Sequence, residues 1–251
     1  MLFTRLLLCA LLVGLCAGLA NSAVQRLQVV PIIAAAEAIE SKPLPAVAHA
    51  HEPDAANHSR DESTWQPQAG FERTFWTVVA NILGATGYAL LLIPALAWRD
   101  WQTGNKAATL RGGLVWGLAG WFCLFVWPAL GLRPELPGEA AAAIHLRQAW
   151  WLLAVVCAAG GLALLTLAKR QWRWLGLPLL AMPLLVGAPH ADGPAFAHHA
   201  VQLQQLKAQF VVATAIASAV HWLVLGAVAA LAIRRWLRPV LVDRLSPQRS
   251  A

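Results

Sequence analysis

Charge is what this sequence has least of. Only 12% of its 251 residues are Asp, Glu, Lys or Arg, against about 25% in an ordinary soluble domain, and 59% are hydrophobic. That balance excludes a water-soluble fold. Cysteine is sparse too. Cys9, Cys16, Cys123 and Cys157 sit singly inside apolar stretches, which excludes a disulfide framework or zinc knuckle and reads as buried free thiols. No GxxxxGK[ST] loop is present, so ATP use through that motif needs a partner, and no HExxH pair or serine and lysine constellation marks an enzyme. The formal charge of +7 comes from bases flanking apolar runs, not from a basic stripe with interleaved aromatics, so nucleic acid is not a partner. No internal repeat of clean period is visible.

What is there is a series of apolar runs. A bilayer core of about 30 Å takes roughly 20 apolar residues per helix, and six runs qualify: Leu6 to Val24, Thr74 to Trp98, Gly112 to Leu132, Ala149 to Ala168, Leu175 to Pro189 and Phe210 to Ile233. They are continuous rather than alternating, so the expected fold is all-α, a polytopic helical bundle in the lipid bilayer. One integral membrane domain spans 1–251, with six spans, or five if the first is a cleaved signal or the fifth does not cross. Arg5 followed by Leu6 to Ala20 has signal-peptide form, with Gly18-Leu19-Ala20 as a cleavage site. The alternative is an uncleaved span, since the apolar pattern runs on to Val24.

The bases set the orientation. With six spans and the N-terminus inside, twelve of the nineteen lysines and arginines fall in inner segments and seven in outer ones, as the positive-inside rule requires. Both termini are then cytoplasmic. The fifth run is weakest, about 15 residues with Pro178, Pro183 and Pro189; if it did not cross, five tail arginines would lie outside. It reads as a short, bent span whose proline-freed carbonyls suit a substrate path.

Between the first two runs lies a polar insert, Glu37 to Glu62, with six acids, Lys42, Arg60 and three histidines, closed by Trp65 to Thr74. Carboxylate and imidazole suit divalent first-row metals, and the composition opposes a packed core. Residues 34–73 are therefore expected to form a flexible, metal-attracting outer loop. His49 and His51, two apart, can reach one ion from an extended segment, with His58 nearby. Glu37 and Glu40 share a face if the first helix continues past Pro31. In this topology seven of eight histidines, including His190, are outside. His221 alone is within a span, near its middle, on a stripe with Thr214 and Ser218. An ionisable group there faces the bundle interior, where a neutral imidazole can bind a passing metal ion, helped by carbonyls near Pro183, or bond across helices.

Gly14 with Gly18, and Gly113 with Gly117, offer faces for close helix packing. Most of the thirteen tryptophans fall near span ends, as headgroup-level anchors. Pro128 to Gly138 makes a rigid exit from the third span. Its Glu135, with Glu139, Arg147 and Gln148, can close a polar cluster with Glu72 and Arg73.

The chain resembles the CbtA family of proposed cobalt transporters over nearly its whole length. The resemblance rests on Pro31 with Glu37-Ala38-Ile39-Glu40, the histidine and acid-rich insert, Trp65-Gln66-Pro67, Gly70-Phe71-Glu72-Arg73-Thr74, Gly117-Leu118-Ala119-Gly120, the block Pro128 to Gly138, Arg147-Gln148-Ala149-Trp150-Trp151 and Gly187-Ala188-Pro189. It implies a cobalt(II) permease of the bacterial inner membrane acting beside cobalamin synthesis, with no resident cofactor and with a small single-span, histidine-containing partner, CbtB. The family is usually drawn with five spans. Here Ile39 replaces a usual aromatic, and Leu184 replaces a histidine that commonly follows the proline at 183; His190 could substitute. The implied metal ligands in this chain are Glu37, Glu40, His49, His51, His58, His190 and His221. The alternatives are a metal-binding accessory or sensor subunit and, further off, a membrane-embedded enzyme.

Overall fold

The computed structural model describes residues 2–40, 67–68, 70–137, 139–191 and 200–245. All regular structure among them is helical. Helix α1 (Leu2–Val24) runs through a π turn (Gln25–Val29) into α2 (Val30–Glu40). Helix α3 is Phe71–Gln102. Helix α4 (Leu110–Trp121) passes through a second π turn (Phe122–Val126) into α5 (Trp127–Ala129). Then come α6 (Ile144–Leu167), α7 (Gly176–Val186), α8 (Ala200–Ala232), a third π turn (Ile233–Leu237) and α9 (Arg238–Leu245).

Each π turn ends two residues before a proline: Pro31, Pro128 and Pro239. Proline lacks the N–H that would close a helical turn, and its ring crowds the carbonyl four residues back. The preceding residue reaches back five instead: Val30 to Gln25, Trp127 to Phe122 and Arg238 to Ile233. The helix thus widens for one turn and continues. That is why the first helix passes Pro31 and carries Glu37 and Glu40. Residues 34–40 and 71–73, expected in the loop, are helical. Residues 41–66, with His49, His51 and His58, lie outside the described residues.

Among the described residues five helices are long and apolar enough to cross a membrane: Leu2–Ile39, Phe71–Gln102, Leu110–Ala129, Ile144–Leu167 and Ala200–Leu241. The fifth apolar run gives only α7. Its 11 residues rise about 16 Å, short of the ~30 Å hydrocarbon core. Of the two span counts the sequence allows, five is the number of full-length helices. Helix α7 nevertheless carries the chain back along α6. Gly176 packs on Gly161 and Leu165, the Trp150 indole donates to the Pro183 carbonyl at 3.3 Å, and Ala188 lies against Gly131. Gly187, at φ 79°, ends the helix in a backbone region open to glycine.

The bundle has two distinct ends. At one, Arg5 donates to the Trp236 carbonyl and Asp100 pairs with Arg238, so the first and last helices end together. At the other, Glu37 of α2 pairs with Arg73 of α3, Glu135 with Arg147 of α6, and Glu139 with Lys207 of α8. The polar cluster expected there is thus resolved into separate ion pairs. Glu72 accepts from the Gln68 backbone instead.

Helix α8 is the axis, with half of its most apolar window buried against 22–33% in the other four. It packs on α1 and α4, while α1 also packs along α3 and the α6–α7 hairpin joins through the π turn and α5. Both glycine pairs sit at these seams. Gly14 and Gly18 meet the α3 backbone at Thr86 and Ile82, and Gly113 and Gly117 meet α8 at Gly226 and Trp222. The first run is thus core, with Ala10, Val13 and Ala17 fully buried.

A side chain at Gly226 would strike Gly113 and come within 2.9 Å of the Gly117 nitrogen, whereas one at Gly84 meets nothing within 4 Å. Gly226→Leu should therefore cost about 1–3 kcal/mol, the range for overpacking, and lower the thermal midpoint in detergent. Gly84→Leu should leave it unchanged. Equal midpoints for the two variants would mean that α4 and α8 do not pack this closely.

Candidate functional site

His221 lies at the middle of the continuous helix Ala200–Leu241, where α1, α3 and α8 meet. It is 93% buried, with 7% of its surface exposed, and neither ring nitrogen has a hydrogen-bond partner among the described residues. The Ala17 backbone on α1 faces the ring without reaching hydrogen-bond geometry. Tyr88 of α3 meets it edge-on at 6.0 Å between centroids, and Trp222 meets it at 5.8 Å. Tyr88 and Trp222 also touch, at 5.0 Å. The result is an imidazole with its donor and its acceptor unused inside an aromatic wall. An unsatisfied buried polar group costs about 1–3 kcal/mol.

Helix α8 supplies no help from its own stripe. The Thr214 hydroxyl donates to the Phe210 carbonyl one turn back, at 2.8 Å. Pro183 is not the neighbour expected: α7 packs on α6, and the Pro183 carbonyl is taken by Trp150 and by the Gly187 N–H at 3.1 Å.

One turn from Ala17 along α1, a second polar level appears that sequence reasoning missed. The Asn81 amide of α3 donates to the Ser22 hydroxyl at 2.9 Å and to the Gln25 side-chain carbonyl at 2.8 Å. Asn21 donates to the Asn81 carbonyl at 3.2 Å, and Ser22 donates to the Gly18 carbonyl. The available signal was Asn81, a lone amide in the second apolar run, where polar side chains bond across helices.

A third level lies beyond the π turn. Glu37 holds Arg73 through two hydrogen bonds, 3.0 and 3.4 Å, so its carboxylate is committed to a base. The Glu40 backbone continues that helix; its side chain is outside the description. His190 is exposed on the segment after α7. Of the expected ligands only Glu37, His190 and His221 have described side chains, and among the described residues no group of three His, Cys, Asp or Glu side chains could hold a metal ion. What the structure offers is a polar line along α1, from the ion pair at Glu37 through the Asn81 amides to His221.

Full-length apolar helices around a central one, with an ionisable side chain buried at its middle, define a multi-pass membrane protein. Its class is settled by a family match covering most of the chain. The family model CbtA, described as a probable cobalt transporter subunit, matches residues 3–234, and the chain belongs to that family. No curated protein and no solved structure matches it. As a subunit, it works with a partner.

Proposed function

We propose that this protein is the permease through which divalent cobalt enters the cell to supply cobalamin synthesis. One observation carries the reading: the His221 imidazole, buried at the helix junction with both nitrogens unused. A neutral imidazole nitrogen is a good ligand for a first-row divalent ion. A site for transit has to bind strongly enough to admit the ion and weakly enough to release it, which a single imidazole satisfies better than a closed cage. The membrane potential supplies about 2.3 kcal/mol per charge per 100 mV, hence roughly 4.6 kcal/mol for a divalent cation.

In this reading the end that carries Glu37 faces the outside of a bacterial inner membrane and both termini are cytoplasmic. Ion capture then falls to Glu37, Glu40 and the insert, with His49, His51 and His58, while His190 stands at the outer rim. The test is uptake of radioactive cobalt into proteoliposomes, with and without the small single-span partner. Absence of uptake in both arrangements would remove the permease reading. A second reading, an accessory or sensor subunit, is favoured by the lack of a complete ligand set among the described residues, and it predicts cobalt binding without uptake.

Two outcomes follow. His49, His51 and His58 changed together to alanine should raise the half-saturating cobalt concentration and leave maximal uptake nearly intact, because a local field acts on encounter; an unchanged value makes the insert a spacer. Ser59→Cys should react with an impermeant thiol reagent in intact cells, and Ser246→Cys only after lysis. Labelling of both in intact cells means that the α7 segment does not carry the chain across.

A further inference from the structure

We infer that the cleft between the end of the third span and the start of α6 is a binding site for an anionic phospholipid. The cleft holds about 420 Å³. Its floor is apolar, with Phe125 and Trp151 among leucines and prolines, and its rim carries Arg133, Glu135, Arg147 and Gln148. It opens where two apolar helices end, which is the depth of lipid headgroups.

Two observations point to a phosphate diester. Arg147 spends one guanidinium nitrogen on Glu135, yet its Nε is buried and has no hydrogen-bond acceptor among the described residues. A buried donor left unpaired is costly, and a phosphate oxygen is the acceptor that suits an arginine fork best. Arg133, beside it, is exposed and has no ion pair among the described residues. With Glu135 counted against Arg147, the rim keeps one net positive charge. The floor specifies the rest of the ligand. A free anion has no use for an aromatic, proline-rich surface, whereas an acyl chain lies along it. A lipid with a choline group carries its own cation toward Arg133 and binds less well.

This site is independent of the transport reading and is tested without cobalt. The detergent-purified full chain is titrated by native mass spectrometry with dioleoyl phosphatidylglycerol, with dioleoyl phosphatidylcholine, and with the former in millimolar inorganic phosphate. Phosphatidylglycerol should be retained at concentrations at least about fivefold lower than phosphatidylcholine, the factor expected for one basic residue near an anionic headgroup. Arg133→Gln should abolish that preference and leave phosphatidylcholine retention as it was. The exposed, unpaired position of Arg133 keeps the fold out of the comparison, and Arg147→Gln serves as a second variant. Equal retention of the two lipids by the unaltered chain overturns the proposal, as does a preference that survives Arg133→Gln. Displacement by inorganic phosphate overturns it as well, since it would make the rim a simple anion site.

Discussion

His221→Gln is expected to insert and fold normally and to lose most cobalt uptake, by one to two orders of magnitude in initial rate at sub-saturating cobalt. Glutamine has a similar reach and can hydrogen-bond, but it is a poor ligand for a first-row metal. Its amide can also find partners that the imidazole does not use, since both ring nitrogens are unpaired and the Ala17 backbone is close by. The substitution should therefore be neutral or slightly stabilising, because an unmet donor and acceptor are relieved. Stability and transport should move in opposite or unrelated directions, which a packing histidine does not allow. The measurement pairs initial uptake in proteoliposomes with the thermal midpoint in detergent. A variant that transports at the normal rate makes His221 structural and removes the midplane ligand; one that loses uptake and stability together does the same.

The sequence made His221 legible because an ionisable residue inside an apolar run stands out without knowledge of its neighbours. Its partners were not legible. Ala17, Tyr88 and Trp222 come from three helices, and no spacing within one helix predicts which faces meet. The glycine pairs were read correctly because a small-residue face has only one use in a bundle, close approach. Pro183 misled for the opposite reason: a proline frees the carbonyl four residues back, but which helix lies beside it depends on helix order, and α7 packs on α6 here. The acids divided in the same way. Glu37 was read as a ligand beside Glu40, and the continuation of the helix through the π turn also brings it to Arg73. Asp100, near the other end of the bundle, is the best-bonded carboxylate described.

Loss of that carboxylate should give the largest stability effect in the protein. Asp100 ends α3 with its side chain 3% exposed. It accepts from the Arg238 Nε at 3.1 Å, from Nη2 at 2.9 and 3.1 Å, and from the Ala108 backbone N–H at 2.7 Å. Arg238 also donates to the Asn105 carbonyl at 3.2 Å. One acid thus ties the end of α3, the turn before α4 and the start of α9, next to the third π turn. Asp100→Ala leaves a guanidinium and a backbone N–H without their acceptor. Breaking a buried pair from one side costs about 3–5 kcal/mol, and the lower end applies because Arg238 keeps 26% of its side chain in solvent. Asp100→Asn should fall in between, since an amide oxygen still serves Ala108 but the charge is gone. Adding Arg238→Met to Asp100→Ala should recover part of the loss, because the stranded charge leaves with it, and the four thermal midpoints in detergent form a double-mutant cycle with a clear coupling. A cost for Asp100→Ala no greater than about 0.5 kcal/mol, the size of an ordinary surface change, would show that the clamp does not hold this end of the bundle together.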